Sequence, residues 1–162
     1  MKNSMIELLF LLGFSLHNLE EALWLPQWSK HARKYHKEVS PNEFTFAVII
    51  VTAIGYLLTF QYFIFAPSSS FSRYVYLGFI LMMVANVIFP HLIATLVLKR
   101  YAPGTITGML LNAPIGIYIL AQGINGTGEL IFVIISGGIL AIIFLLLINP
   151  LFNTKLLSKN KI

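Results

Sequence analysis

Five stretches of almost unbroken apolar sequence alternate with short polar connections along this chain. They cover residues 4–25, 44–66, 72–98, 106–124 and 129–149. Each approaches or exceeds the roughly 20 residues a helix needs to cross the hydrocarbon core of a bilayer. A membrane β-barrel would show segments of about ten residues alternating between apolar and polar. Continuous runs predict helices, whose backbone hydrogen bonds are satisfied internally. The expected fold is an all-α polytopic transmembrane bundle of about five spans, a single transmembrane domain over residues 1–162 with no internal repeat. Pro67-Ser68-Ser69-Ser70, Pro103-Gly104 and Asn125-Gly126 read as turns. The first connection, WLPQWSKHARKYHKEVSPNEF, is longer and basic. It carries Trp24, Trp28 and Tyr35, residue types that favour the headgroup level, and part of it is expected to lie on the membrane as a short surface helix. The N-terminal run lacks a small-x-small cleavage site and passes straight into polar residues, so it reads as a retained first span.

Composition supports the bilayer as solvent. Hydrophobic residues make up 57% of the 162 and charged ones 10%, against about 25% charged in ordinary soluble domains. With no cysteine, disulfides, zinc–thiolate sites and cysteine nucleophiles are excluded. The net charge of +5 reads as topology signal, and nucleic acid is not an expected partner. With five spans, Lys2 and Arg73 fall on one side of the membrane. Lys30, Arg33, Lys34, Lys37, Lys99, Arg100, Lys155, Lys159 and Lys161 fall on the other. The positive-inside rule then predicts an outside N-terminus and an inside C-terminus, in a multi-pass protein of the plasma membrane. Membrane lipids are the expected partners, and a homo-oligomer is compatible with the sequence.

Against this apolar background a few polar residues share one depth. His17, Glu20 and Glu21 lie four to eight residues from the inner end of span one, His91 seven from that of span three, and Asn112 six from that of span four. All fall about 6–12 Å below the cytoplasmic interface. His17, Glu20, Glu21 and Trp24 have i, i+3, i+4 spacing and form one helical stripe, on which the imidazole and both carboxylates are expected to converge. An ionised carboxylate facing lipid costs a few kcal/mol, so the stripe is expected to face the interior and meet His91. Pro90 has no N–H and frees the Asn86 carbonyl. On a straight helix Asn86 is off the His91 face, so its participation requires a kink.

His17-x-x-Glu20-Glu21, followed by Asn86, His91 and then Tyr101-Ala102-Pro103-Gly104, resembles the HXXEE family of small polytopic membrane proteins. The resemblance runs from His17 to Gly104. It implies that His17, Glu20, Glu21 and His91 work together, and it supplies no reaction.

Two histidines with one or two carboxylates make a ligand set for a single Zn, Fe or Mn ion. The metal-ligand candidates are His17, Glu20, Glu21 and His91, with Asn86 and Asn112 as secondary members. Glu20, Glu21 and His91 are the candidate catalytic groups, one glutamate acting as general base on a metal-bound water. The His-x-x-Glu order reverses the Glu-x-x-His of di-iron bundles, which need more carboxylates than this layer holds. The leading reading is an intramembrane enzyme with metal or acid/base chemistry near the cytoplasmic face, acting on a lipid or apolar substrate. One alternative is a small proton-coupled transporter, against which the absence of a repeat counts. The other is a membrane scaffold or chaperone whose polar cluster is structural. Hydrogen bonds between membrane helices average only near 0.6 kcal/mol, which makes packing alone a poor reason to bury three ionisable groups.

The remaining polar residues have simpler readings. Gly104-x-x-x-Gly108 and Gly137-x-x-x-Ala141 fit close helix packing. Glu7 and Glu129 are expected to be solvated near the outer interface, and His31 and His36 at the surface. Asn125-Gly126-Thr127 matches both a glycosylation acceptor and a tight turn. No serine triad, phosphate loop or dinucleotide fingerprint is present, and the chain has no aspartate, which removes the usual Asp-based magnesium sites.

Overall fold

The structure, a computed structural model, describes residues 4–32 and 39–151. Five helices in it are long and apolar enough to cross a membrane: α1 (Ser4–Ser29), α2 (Pro41–Phe65), α3 (Ser70–Leu98), α4 (Thr105–Gly123) and α5 (Thr127–Leu151). No strand occurs among the described residues. The helices overrun the predicted ends by a turn or less in several places. Pro26 does not end α1, which continues to Ser29. Helix α2 starts three residues early because Pro41 follows the extended Ser40 and occupies the first helical position. Tyr35, His36, Arg33, Lys34, Lys37, Lys2 and the three tail lysines lie outside the described residues, as does most of the expected surface helix.

Helix α3 is central, packed by α2, α4 and α5, while α1 lies against α2 and α4. The α1–α3 contact is aromatic: the Phe14 and Phe79 rings meet edge to face at 5.3 Å, and Phe10 joins them. Backbones touch where α3 crosses α5. A β-carbon on Gly78 would sit 2.7 Å from Gly137 N, and one on Gly137 2.8 Å from Gly78 O. Gly137 thus has the close-packing role its spacing suggested. Glu7 and Glu129 differ from expectation. Glu7 is buried, and Glu129 pairs with Arg73 and accepts the Asn125 N–H. The Asn125–Gly126 turn is therefore held by a helix residue reaching back, as capping carboxylates do.

Two irregular turns position the site. In α3 the stretch Val87–Leu92 kinks at Phe89, whose φ of −125° and ψ of 116° are extended. The residue before a proline is driven there because the α region clashes with the proline ring. In α4 the stretch Gly108–Asn112 is a widened turn, the bulged form that recurs at functional sites.

Candidate functional site

The kink in α3 and the stripe on α1 bring His17, Glu21 and His91 together. Glu21 Oε1 lies 3.0 Å from His91 Nε2 and 3.9 Å from His17 Nε2. The two imidazole rings are perpendicular with centroids 5.0 Å apart. Both histidines are buried, His17 completely. One ligand atom from each of the three residues falls within 4.8 Å of the other two. The kink also settles Asn86: its amide Nδ2 lies 3.1 Å from His91 Nε2.

Glu20 departs from the expected convergence. Residues adjacent on a helix point about 100° apart, and Glu20 turns toward the connection between α3 and α4. Its Oε1 accepts the Gly104 N–H at 2.7 Å and the Tyr101 hydroxyl. Its Oε2 accepts the Thr107 hydroxyl at 2.6 Å and the Thr107 N–H at 3.2 Å. Gly104 precedes the first turn of α4 and has no side chain to cap it. Glu20 reaches from another helix to take the Thr107 N–H, which an N-cap side chain normally takes, and the Gly104 N–H, which the acid of a capping box takes. Its carboxyl group faces the positive end of the helix dipole. Four donors on two oxygens account for a buried acid in a membrane span and leave it occupied.

That network fixes the proton positions on His17. The Thr107 hydroxyl gives its hydrogen to Glu20, so its 3.3 Å contact with His17 Nδ1 is one in which Nδ1–H donates to Thr107 Oγ1. The other ring nitrogen of the neutral imidazole, Nε2, is then a lone pair. It is buried, has no hydrogen-bond partner among the described residues, and faces a carboxylate oxygen at 3.9 Å. The lone pair and the carboxylate oxygen, with His91 Nε2 beside them at 3.0 Å from that oxygen, form an arrangement that suits a cation. A carboxylate fixing the far nitrogen of an imidazole, here through a threonine hydroxyl, is the usual support of a metal-ligating histidine.

The connection that closes the site is held by its own side chains. Thr95 and Thr105 share a hydrogen bond at 2.9 Å, Thr95 Oγ1 accepts the Ala102 N–H, and Thr105 donates to the Ala102 carbonyl. Lys99, at φ 49°, ends α3 in the left-handed region. The turn lays Gly104, at φ 91°, on the two rings: a β-carbon there would stand 2.8 Å from Cε1 of both His17 and His91. Gly104 is therefore required by the histidines it covers, not by helix packing.

The HXXEE family model, described as a protein of unknown function with HXXEE motif, matches residues 8–119. The chain belongs to the HXXEE family. A Bacillus subtilis (strain 168) relative, "Uncharacterized protein YrkK", is 49% identical over 113 residues, which is 70% of this chain and 71% of that protein. No solved structure matches. In this HXXEE protein the signature divides its labour: His17 and Glu21 face His91, and Glu20 holds the Tyr101–Gly104 turn over them. Thr107, Thr95 and Thr105 were not singled out in the sequence, since threonine within an apolar span is common. Thr95 and Thr105 bond backbone groups and each other, and Thr107 meets Glu20 and His17 only across 87 and 90 residues of chain. Asn112 is completely buried beside Gly13, and neither amide atom has a hydrogen-bond partner among the described residues. Among the described residues no hydrogen bond ties it to the histidines.

Proposed function

We propose that this HXXEE protein is an intramembrane metalloenzyme that binds one divalent transition metal, zinc, iron or manganese, through His17, Glu21 and His91. The observation that carries the reading is His17 Nε2, buried without a hydrogen-bond partner among the described residues and 3.9 Å from Glu21 Oε1. A shift of under about 1 Å brings all three atoms to the roughly 2.0–2.2 Å bond lengths of such ions. Structural zinc sites close with four protein ligands, whereas catalytic ones use three and keep a position for water. This set offers three. Such an ion supplies Lewis-acid activation of a bound water. The chain's own residues exclude bulk water, orient His17 through Thr107, hold the His91 ring through Asn86, and set two carboxyl groups close to the ion. Glu20 is not the general base, because its lone pairs are taken. The reading places the site near the cytoplasmic face of the plasma membrane, with the N-terminus outside, on the strength of nine basic residues against two.

Elemental analysis of the purified protein tests this. Near-stoichiometric metal in the wild type, lost in His91→Ala and in Glu21→Gln, is expected. A wild type that stays metal-free after loading with zinc, iron and manganese overturns it. The Glu20 network favours a second reading, a scaffold whose cluster is structural. In that case the same variants lose thermal stability with no metal to lose.

A further inference from the structure

Beside the site, a groove of about 850 Å³ opens on the outer face of α1 toward the connection before α4. Its walls change character along α1. Leu16, Leu19 and Leu23, with Ile106 opposite, form an apolar stretch. Trp24 and Trp28 follow, and His31, just past the end of α1, and Arg100 complete the lining. From Leu16 to Trp28 the helix rises roughly 18 Å, close to the ~15 Å of hydrocarbon in one leaflet. The sequence of surfaces is that of a lipid: chain, interface, headgroup.

We infer that this groove holds a single anionic phospholipid, its acyl chain along Leu16–Leu23 and its phosphate at Arg100 and His31. Charge selects the headgroup. Arg100 is exposed, and its guanidinium has no ion-pair partner among the described residues. The one acid in the lining is Glu20, whose oxygens are committed to Tyr101, Gly104 and Thr107. A zwitterionic headgroup brings its own cation to a rim that is already cationic, and an anionic one does not. Position gives the groove its meaning: Thr107 lines it and also contacts His17 Nδ1. A lipid seated there lies one side chain from the His17–Glu21–His91 cluster. The inference names the substrate class of the proposed enzyme and depends on that reading for its chemistry, while the binding itself stands separately.

The chain has only two tryptophans, and both line the groove. Acyl-chain bromine quenches nearby tryptophan fluorescence, so the purified protein in vesicles of brominated phosphatidylglycerol is compared with the same protein in brominated phosphatidylcholine. Stronger quenching by phosphatidylglycerol, reversed by unlabelled phosphatidylglycerol, is expected. Arg100→Gln should reduce that preference about fivefold, from the stabilisation one basic residue provides near an anionic headgroup. Equal quenching by the two lipids, or a preference unchanged in Arg100→Gln, overturns the inference. Metal content is read on the same samples, and His91→Ala should lose metal yet keep the lipid preference. Preference without metal in the wild type sinks the enzyme reading alone, and metal without preference sinks the groove alone.

Discussion

Glu20 on α1 and Gly104 before α4 are joined by a 2.7 Å hydrogen bond from the glycine N–H to the carboxylate. The bond links residues 84 apart in sequence and sets the lid of the site. It holds a turn that contacts both imidazoles, so the geometry of the cluster depends on a carboxylate that is not part of it. The paired acids of the signature are therefore not interchangeable, and variants at the two positions should fail in different ways.

Glu20→Gln keeps the size of the side chain and removes its charge. One of its two terminal atoms becomes a donor facing donors, so at least one of the four hydrogen bonds is lost. Hydrogen bonds to charged groups contribute about 1.5–3 kcal/mol, and a drop of about 2 kcal/mol in stability is expected, with metal stoichiometry retained at saturating metal. Glu21→Gln should do the reverse, abolishing stoichiometric metal with a smaller change in thermal stability. Thermal unfolding and elemental analysis on the same two preparations separate the outcomes. If Glu20→Gln loses metal while its unfolding is unchanged, Glu20 is a ligand and the capping argument is wrong.

Gly104→Ala should damage both properties. Its φ of 91° costs an L-residue about 1–2 kcal/mol, and the added methyl must displace two buried rings. Metal affinity is expected to fall by at least about tenfold, the scale of losses when the support of a ligand is disturbed. A titration of apo protein with zinc checks this. Gly138→Ala serves as control, since a β-carbon there meets nothing within 4 Å.

Thr107→Val tests the proton argument with little change in shape. Without the hydroxyl, Nδ1 loses its acceptor, and nothing keeps the His17 lone pair on Nε2. Affinity for zinc should fall about 10–100-fold, and Thr107→Ser should restore most of it. An unchanged affinity in Thr107→Val would remove the reason for assigning the tautomer.

The spans were legible because a membrane helix advertises itself by length of apolar run, and that signal is independent of packing. Their ends were less so, since Pro41 extends a helix that its polar flank appeared to exclude. Within the site, His17 and Glu21 were readable from their i, i+4 spacing and His91 from its shared depth. The role of Glu20 was not readable, because its partners are mainly backbone N–H groups of a turn, and a backbone N–H carries no letter in the sequence. Asn112 shows the opposite failure. It shares the depth of the cluster, yet the widened turn of α4 places it beside Gly13, and depth alone does not fix direction.

Asn86 gives a last test, because it reaches His91 only through the kink. Five residues apart on a straight helix, the two would point about 140° from each other. The extended Phe89 ahead of Pro90 brings the amide to 3.1 Å from the ring. Asn86 contacts the same ring nitrogen that faces Glu21, so it holds Nε2 toward the cluster before a metal binds and yields it to the metal. Asn86→Ala should weaken zinc binding by up to about tenfold through lost pre-organisation of the ring. Pro90→Ala frees residue 89 to return to the helical region and should cost at least as much, since the amide swings away and His91 turns with it. The two effects share one cause, so they should not add. In Pro90→Ala, the further change Asn86→Ala is expected to alter affinity less than twofold. Full additivity across that double-mutant cycle would show that the kink and the amide act on His91 independently.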